Sequence, residues 1–284
     1  MKYGIYIPPF GEYADARAVA ELAHEAEEAG WDGLFIWDHI VMGWTDRVID
    51  PWIALTAAAM ETEHLRLGPL VTPLPRRRPW KVARETASLD QLSDGRLTLG
   101  VGLGYGEHEF ATFGEPTSAR TRAAMLDESL EMLTSLWSGE EVDYDGVHYR
   151  MERTRFLPRP RQKPRIPIWV AGLWPNKAPF RRAARWDGVF PLPVNVERNL
   201  TPDEIREIVA YIQQHREDDA PFDVAHSGAT WGDATHRRSQ VAPYTDAGVT
   251  WWLENINPWR FEWEGEGPWP FEAMRQHILE GPPA

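Results

Sequence analysis

A chain of 284 residues has the length of one α/β barrel, and its 43 Asp and Glu against 30 Lys and Arg repel polyanions, which argues against a nucleic-acid or anionic-membrane partner. With no cysteine, the sequence excludes disulfides, thiolate nucleophiles, iron–sulfur clusters and cysteine zinc sites. No window reaches the roughly 18 to 20 apolar residues of a membrane span, and Met1-Lys2-Tyr3 leads into a strand instead of a signal peptide's apolar core, so a cytoplasmic protein is expected.

Taken in chain order, strand-like and helical patterns alternate. Residues 4–7 form a short apolar run, 14–29 carry a helical period, and 33–37 are again strand-like and end at Asp38-His39. A helix over 51–61 follows behind an Asp50 cap, and a strand over 65–71 leads into Thr72-Pro73-Leu74-Pro75 and then Arg76-Arg77-Arg78. The helix over 79–92 closes at Asp94-Gly95. After it, 97–101 form a strand, and Gly102, Gly104 and Gly106 strip side chains where a flat ligand could approach the backbone. Beyond a helix over 122–137 the rhythm breaks, because 142–151 read as a hairpin turning at Asp145-Gly146 and 157–167 as a solvated, proline- and arginine-rich connector. Strands at 168–171, 188–191, 223–225 and 250–253 complete the set, with helices at 180–186, at 202–215 behind a Thr201 cap, and more weakly at 235–247. Eight strands alternating with helices predict an α/β fold closed as a (β/α)8 TIM barrel, one domain over 1–284 with an insertion of about 138–167 between its fourth and fifth strands. The Trp-rich stretch 251–269 is expected to wrap the barrel's end.

In such barrels the reactive groups stand at the carboxyl ends of the strands. His39 is therefore placed to donate or relay a proton near neutral pH, with Asp38 fixing its tautomer or hydrogen-bonding elsewhere; a capped loop histidine is the plainer alternative. Of the three arginines 76–78, one is expected to face the site and the others to be solvated. After the fifth strand, Ala171, Gly172, Leu173, Trp174, Asn176 and Lys177 lead to a helix beginning near Pro179, and a slim backbone, a helix amino terminus and a lysine suit a phosphate. Phe10, Trp44, Trp231 and Trp252 are expected in the aromatic walls of a largely apolar substrate pocket, although half or more of such rings simply fill cores. His24, His39, His64 and His108 are far apart and lack the i, i+4 pair of a metalloprotease, so no metal site is expected.

Three stretches taken together, WDHI at Trp37 to Ile40, TPLPRRRPWKVARETASLDQLSDGRLTLGVGLGYGEHEFATFG at Thr72 to Gly114, and IPIWVAG followed by FRRAARWDGVFPL, resemble the bacterial luciferase-like family. That family contains flavin-dependent monooxygenases and deazaflavin-dependent oxidoreductases. The resemblance runs from Met1 to about Pro193 and continues more weakly through TWWLE. It implies a (β/α)8 barrel with an insertion and a phosphorylated flavin-type cofactor, FMN or coenzyme F420, across the carboxyl ends of the strands. Position by position, it implies that Thr72 with Pro73 forms a backbone bulge of non-standard peptide geometry against the central ring. It implies also that Gly102, Leu103, Gly104 and Tyr105 line that ring and its side chain, and that Ala171 to Trp174 with Asn176 and Lys177 bind the phosphate. Asp38-His39 matches the pair beside the hydride-transferring carbon of deazaflavin enzymes. Where some deazaflavin dehydrogenases place a glutamate acid, this chain has Tyr105, with Glu107 two residues later, which speaks against a sugar-phosphate dehydrogenase.

The expected activity follows from the cofactor, while the protein supplies orientation, exclusion of water and a proton source. With FMN it is oxygenation of a small apolar substrate, fed by a flavin reductase or NAD(P)H. With coenzyme F420 it is hydride transfer with an unsaturated or carbonyl substrate. Pairing of two barrels through an exposed helix face would be ordinary for the family. A non-catalytic flavin-binding barrel and a metal-dependent hydrolase are the alternatives, separable by cofactor retention and by metal analysis.

Overall fold

The computed structural model describes residues 1–42, 45–196 and 198–283, and it places the apolar runs as parallel strands of one sheet. In chain order these are β1 (Lys2–Ile7), β2 (Gly33–Ile36), β3 (Arg66–Pro69), the two-residue β4 (Thr72–Pro73) and β5 (Leu99–Gly102). An antiparallel hairpin of β6 (Glu141–Asp145) and β7 (Arg150–Arg155) precedes β8 (Ile168–Trp174), β9 (Gly188–Pro193), β10 (Asp223–Gly228) and β11 (Trp251–Asn255). The spatial order is β3-β2-β1-β11-β10-β9-β8-β5-β4, and a parallel bridge between Leu67 and Leu97 closes the ring. Backbone bonds from Leu67 N to Arg96 O at 3.0 Å and from Thr98 N to Leu67 O at 2.8 Å form that seam. The fold is the expected (β/α)8 TIM barrel. One predicted strand differs: 65–71 is interrupted at Leu70-Val71, whose peptide bond is cis, and pairing resumes at Thr72-Pro73 opposite Val101 and Gly102. The non-standard peptide implied for Thr72-Pro73 thus lies two peptides earlier, and Thr72-Pro73 is regular ladder.

Around the sheet run α1 (Ala16–Glu28), α2 (Pro51–Glu61), α3 (Pro79–Leu92), the one-turn α4 (His108–Ala111), α5 (Ala119–Trp137), α6 (Lys177–Ala183), α7 (Pro202–Gln213), α8 (Ala234–Asp246) and α9 (Phe271–Leu279). Their starts are chemically marked: Asp15, Asp50, Ser118 and Asp233 accept first-turn amides, and Thr201 with Glu204 forms a capping box. α3 ends through Asp94 at φ 52° and Gly95 at φ 84°, as the Asp-Gly pair predicts. α6 begins at Lys177, two residues ahead of the expected start. α4 and α9 carry too few periodic residues to stand out in the sequence.

The core has two layers. A large one lies between strands and helices, and a smaller one fills the barrel with Tyr6, Phe35, Leu70, Trp169, Phe190, Ala225, Trp251 and Leu253. Phe35 stacks on Trp169 with centroids 5.3 Å apart, and Trp251 meets both rings edge-on. This plug fills the barrel's interior beneath the carboxyl ends of the strands.

The 138–167 segment is docked on the barrel. Glu128 of α5 accepts the amides of Val147, His148 and Tyr149 at the hairpin turn. Fully buried Asp90 accepts the backbone amides of Arg161 and Gln162 at 2.7 and 3.0 Å, plus the Gln162 side chain at 2.6 Å, so the connector expected to be solvated is clamped. The Trp-rich stretch expected to wrap the barrel's end instead begins as β11, with Trp251 inside the barrel, and only its later part packs outside, where buried Trp269 meets Tyr13 edge-on at 5.8 Å. α9 then lies on α1, tied by the Trp31 indole donating to Ile278 O at 2.9 Å and by an Arg275–Glu25 ion pair. No helix among the described residues is long and apolar enough to cross a membrane.

Candidate active site

At the carboxyl end of the strands lies a cavity of about 360 Å³, within the size range of small-ligand sites. Its apolar surface comes from Tyr6, Trp37, Leu70, Val71 and Phe190. The Tyr6 hydroxyl donates to Leu70 O at 2.9 Å, which ties β1 to the interrupted segment. Asp38, His39, Gly104 and Tyr105 flank one side, and His226, Ser227, Asn255 and the loop after β9 flank the other.

The β2 side carries the charge. Asp38, whose side chain has no exposed surface, accepts Arg77 Nη2 at 2.8 Å on both oxygens and Arg76 Nη2 at 3.1 Å. Burial disfavours the Arg77 cation, but Asp38 outweighs it and raises its pKa above the ordinary arginine value. Two of the three arginines, Arg76 and Arg77, thus pack against the carboxylates behind the cavity, and neither lines it. Arg76 also donates to Glu109 Oε2, and Glu109 Oε1 lies 2.5 Å from His39 Nδ1. A carboxylate only accepts, so Nδ1 carries hydrogen and donates. His39 Nε2, with no hydrogen bond to a described residue, is the ring's exchangeable position on a cavity-lining side chain. The network reads Arg77, Asp38, Arg76, Glu109, His39. Its two arginines cancel its two carboxylates, so a proton gained or lost at Nε2 changes the charge of an otherwise balanced cluster.

Asp38 thus takes the second of its two expected roles: it holds arginines, while Glu109 sets the histidine tautomer. Nothing in the residues next to it marks Glu109 for this role, and Glu107, two residues earlier, is exposed. The signal was the one-turn helix that brings Glu109 and Phe110 inward while Glu107 and His108 stay outside.

The glycine loop is half cradle and half packing device. A Cβ on Gly102 would stand 2.7 Å from Val71 Cγ2, so Val71 is what lies over that backbone. Gly104, at φ 87°, would place a Cβ 2.8 Å from the Phe110 ring. Gly104 and Tyr105 line the cavity, whereas Leu103 packs on the core and its carbonyl accepts Arg122 at 3.2 Å. Thr72 is fully buried and its hydroxyl has no hydrogen-bond partner among the described residues; neither it nor Pro73 lines the cavity.

None of Ala171, Gly172, Leu173, Trp174, Asn176 and Lys177 lines the cavity. Gly172 and Trp174 are buried, Leu173 is exposed, and the Asn176 side chain makes no cap bond. The Lys177 ammonium lies 3.5 Å from the Trp174 ring centroid and 4.6 Å from that of Tyr211. The aromatic expectations divide similarly. Phe10 is fully buried with its ring 5.5 Å from that of His39, so it backs the histidine instead of touching a ligand. Trp252 packs outside the barrel wall on Tyr244 and His226, its indole donating to Glu254 at 2.7 Å. Trp231 is half exposed under the Arg260 guanidinium, and Trp44 lies outside the described residues.

A profile described as luciferase-like monooxygenase matches residues 1–251. The chain belongs to this family. An F420-dependent glucose-6-phosphate dehydrogenase of Amycolatopsis mediterranei is 32% identical over 168 residues, which are 58% of this chain and 50% of the relative. The oxygenase component of a flavin-dependent trigonelline monooxygenase from Acinetobacter baylyi is 30% identical over 160 residues, covering 56% of this chain and 44% of its own length. The chain spans about half the length of these curated relatives. Among solved structures, the coenzyme F420 dependent tetrahydromethanopterin reductase from Methanopyrus kandleri shares the fold with a TM-score of 0.77 at 18% identity, over 99% of this chain and 98% of that one.

The residues present fit the flat heteroaromatic cofactors that family members use. The cavity has aromatic walls, its balanced ionic cluster stands at one edge, and the buried Trp37 indole nitrogen has no hydrogen-bond partner among the described residues.

Proposed function

We propose that this protein is a flavin-type oxidoreductase holding FMN or coenzyme F420 across the carboxyl end of the barrel and acting on a small, largely apolar substrate. The observation that carries this reading is His39, oriented by Glu109 at the edge of an aromatic-walled cavity. Tyr6, Trp37, Leu70, Val71, Phe190, Gly104 and Tyr105 would hold the ring, and the 171–177 turn remains the reading for its phosphate. When bound, FMN supplies electrons for oxygen activation and coenzyme F420 supplies or takes a hydride. The chain's own part is to exclude water with Tyr6, Trp37 and Phe190 and to hold or release a proton at His39 Nε2.

The relatives support both cofactors, one named for coenzyme F420 and one as a flavin-dependent oxygenase component. In the FMN case a separate flavin reductase, or NAD(P)H directly, would supply the electrons. Tyr105 in place of the loop glutamate turns the reading away from sugar phosphates. Dimerisation through an exposed helix face and a cytoplasmic location belong to the same proposal.

Titration of the protein with each cofactor, followed by ring fluorescence and by thermal unfolding, tests it. At a hundredfold excess over Kd the true cofactor stabilises by about 2.7 kcal/mol, which for this size raises the midpoint by roughly 5–10 °C. His39→Ala should lower turnover by roughly 10²- to 10⁴-fold while leaving cofactor affinity within a few-fold. A protein that neither quenches nor is stabilised by either cofactor is not an oxidoreductase of this kind, and unchanged turnover removes His39 from the proton step.

A further inference from the structure

Arg122, near the start of α5, is 7% exposed, and no carboxylate of a described residue stands at ion-pair distance from it. Its Nη1 donates to Leu103 O at 3.2 Å, its guanidinium lies 4.3 Å from the Phe110 ring centroid, and its Nε has no hydrogen-bond partner among the described residues. Burial lowers its pKa, an effect that the charge of exposed Glu107 opposes. A methionine or leucine would fill the same space without leaving a guanidinium short of partners, so packing alone does not account for an arginine here. What it touches is informative: a carbonyl at one end of the segment 103–110 and a ring at the other.

That segment joins the loop beside the cavity to the acid that orients His39. Phe110 is fully buried against Gly104, where a Cβ would stand 2.8 Å from its ring, and the Arg76 guanidinium lies 6.0 Å from the ring centroid. Its neighbour Glu109 accepts from Arg76 and from His39 Nδ1. Both residues sit on α4, a single turn of four residues that cannot hold its own shape, so tertiary contacts decide where Glu109 points. Between the two points that Arg122 holds, the chain passes through Gly104 at φ 87° and Gly106 at φ 68°, with cavity-lining Tyr105 between them. Two glycines leave this stretch free to take other backbone angles, so its ends must be fixed from outside.

We propose that Arg122 is a positioning residue for the proton step: by tying Leu103 and Phe110 to α5 it keeps α4 in place, and through Glu109 it keeps His39 in the tautomer that leaves Nε2 free. The inference deepens the proposed function, in which His39 handles the proton, but the coupling belongs to the chain without cofactor. The same residue fixes the wall that Tyr105 makes beside His39, the two rings being 6.5 Å apart.

The test reads the His39 tautomer in ¹⁵N–¹H spectra of histidine-labelled, cofactor-free, full-length protein, the signals of this one among nine histidines being assigned by their loss in His39→Gln. The wild type should show hydrogen on Nδ1 and none on neutral Nε2. In Arg122→Met, which keeps the length and loses the charge, the ratio of the Nε2–H to the Nδ1–H form should rise about tenfold, as loss of an orienting hydrogen bond would produce. Arg122→Lys, which keeps a cation for the carbonyl and the ring, should recover most of the wild-type pattern, and Arg120→Met, an exposed charge on the same helix, should change nothing. Should Arg122→Met not fold, Phe110→Leu removes the ring face from the same link and must produce the same change. A variant that loses stability while His39 keeps its wild-type tautomer overturns the proposal and leaves Arg122 a packing residue. Failure of the oxidoreductase reading shows separately, as protein that binds neither FMN nor coenzyme F420 while its tautomer still responds to Arg122→Met.

Discussion

Asp38 has no exposed side-chain surface, and both of its oxygens face guanidinium groups whose own side chains are at most 19% exposed. Removing one member of such a buried cluster leaves the others charged and unpaired, which costs more than the cluster contributes when intact. Asp38→Ala should therefore destabilise the protein by about 3–5 kcal/mol in chemical denaturation, and a loss under 1 kcal/mol would mean that water takes over the arginines. Asp38 and His39 can be picked from the sequence because they directly follow a strand whose end must face the site. Glu109 could not be, since it reaches His39 from 70 residues away and only a one-turn helix aims it inward. Trp252 failed as a pocket residue for a related reason: side chains alternate along β11, so Trp251 and Leu253 fill the barrel and Trp252 faces the helices.

At the scale of elements, the strands follow from apolar runs and the helices from their caps, both of which are local. The 157–167 connector is different, because its composition signals solvent while its backbone is held by Asp90 at the carboxyl end of α3. Asp90→Ala removes three acceptor contacts from buried surroundings. Amide protection across 157–167 should fall by tenfold or more in hydrogen exchange, with a global loss of about 2–4 kcal/mol. Protection unchanged at Arg161 and Gln162 would show that the connector is held by something else. The interruption at Leu70-Val71 was equally hidden, since 65–71 reads as one continuous apolar run and nothing local marks where pairing stops.

For the whole molecule, two buried groups link stability to pH with the same sign. His226 is held neutral, its pKa lowered to about 4 by burial, whereas the unfolded chain protonates it near the ordinary histidine value of about 6.5. Between those values the unfolded state binds the extra proton, so up to about 3 kcal/mol is lost as pH falls from about 6.5 to 4. Glu254 adds to this at lower pH. Burial alone would raise its pKa, but the hydrogen bond from His277 and the charge of Arg260 bring it below the ordinary value. Its contribution is present above the unfolded carboxyl pKa and is lost as acid protonates it. Denaturant midpoints at pH 7 and 4.5 should separate by less in His226→Phe than in the wild type. An equal separation would mean that His226 gains a proton partner in the folded state.

Alternation of strand and helix, the number eight, the helix caps and the loop after β5 are written in local residue order, because backbone periodicity and capping act over a few neighbours. Those features suffice for a closed barrel with its site at the carboxyl end. Which side chains meet there was decided by closure of the ring: it set Arg76, Arg77 and Glu109 around Asp38-His39 and laid Val71 over Gly102. Such contacts join residues tens of positions apart, and their geometry exists only once the packed core fixes where each strand ends.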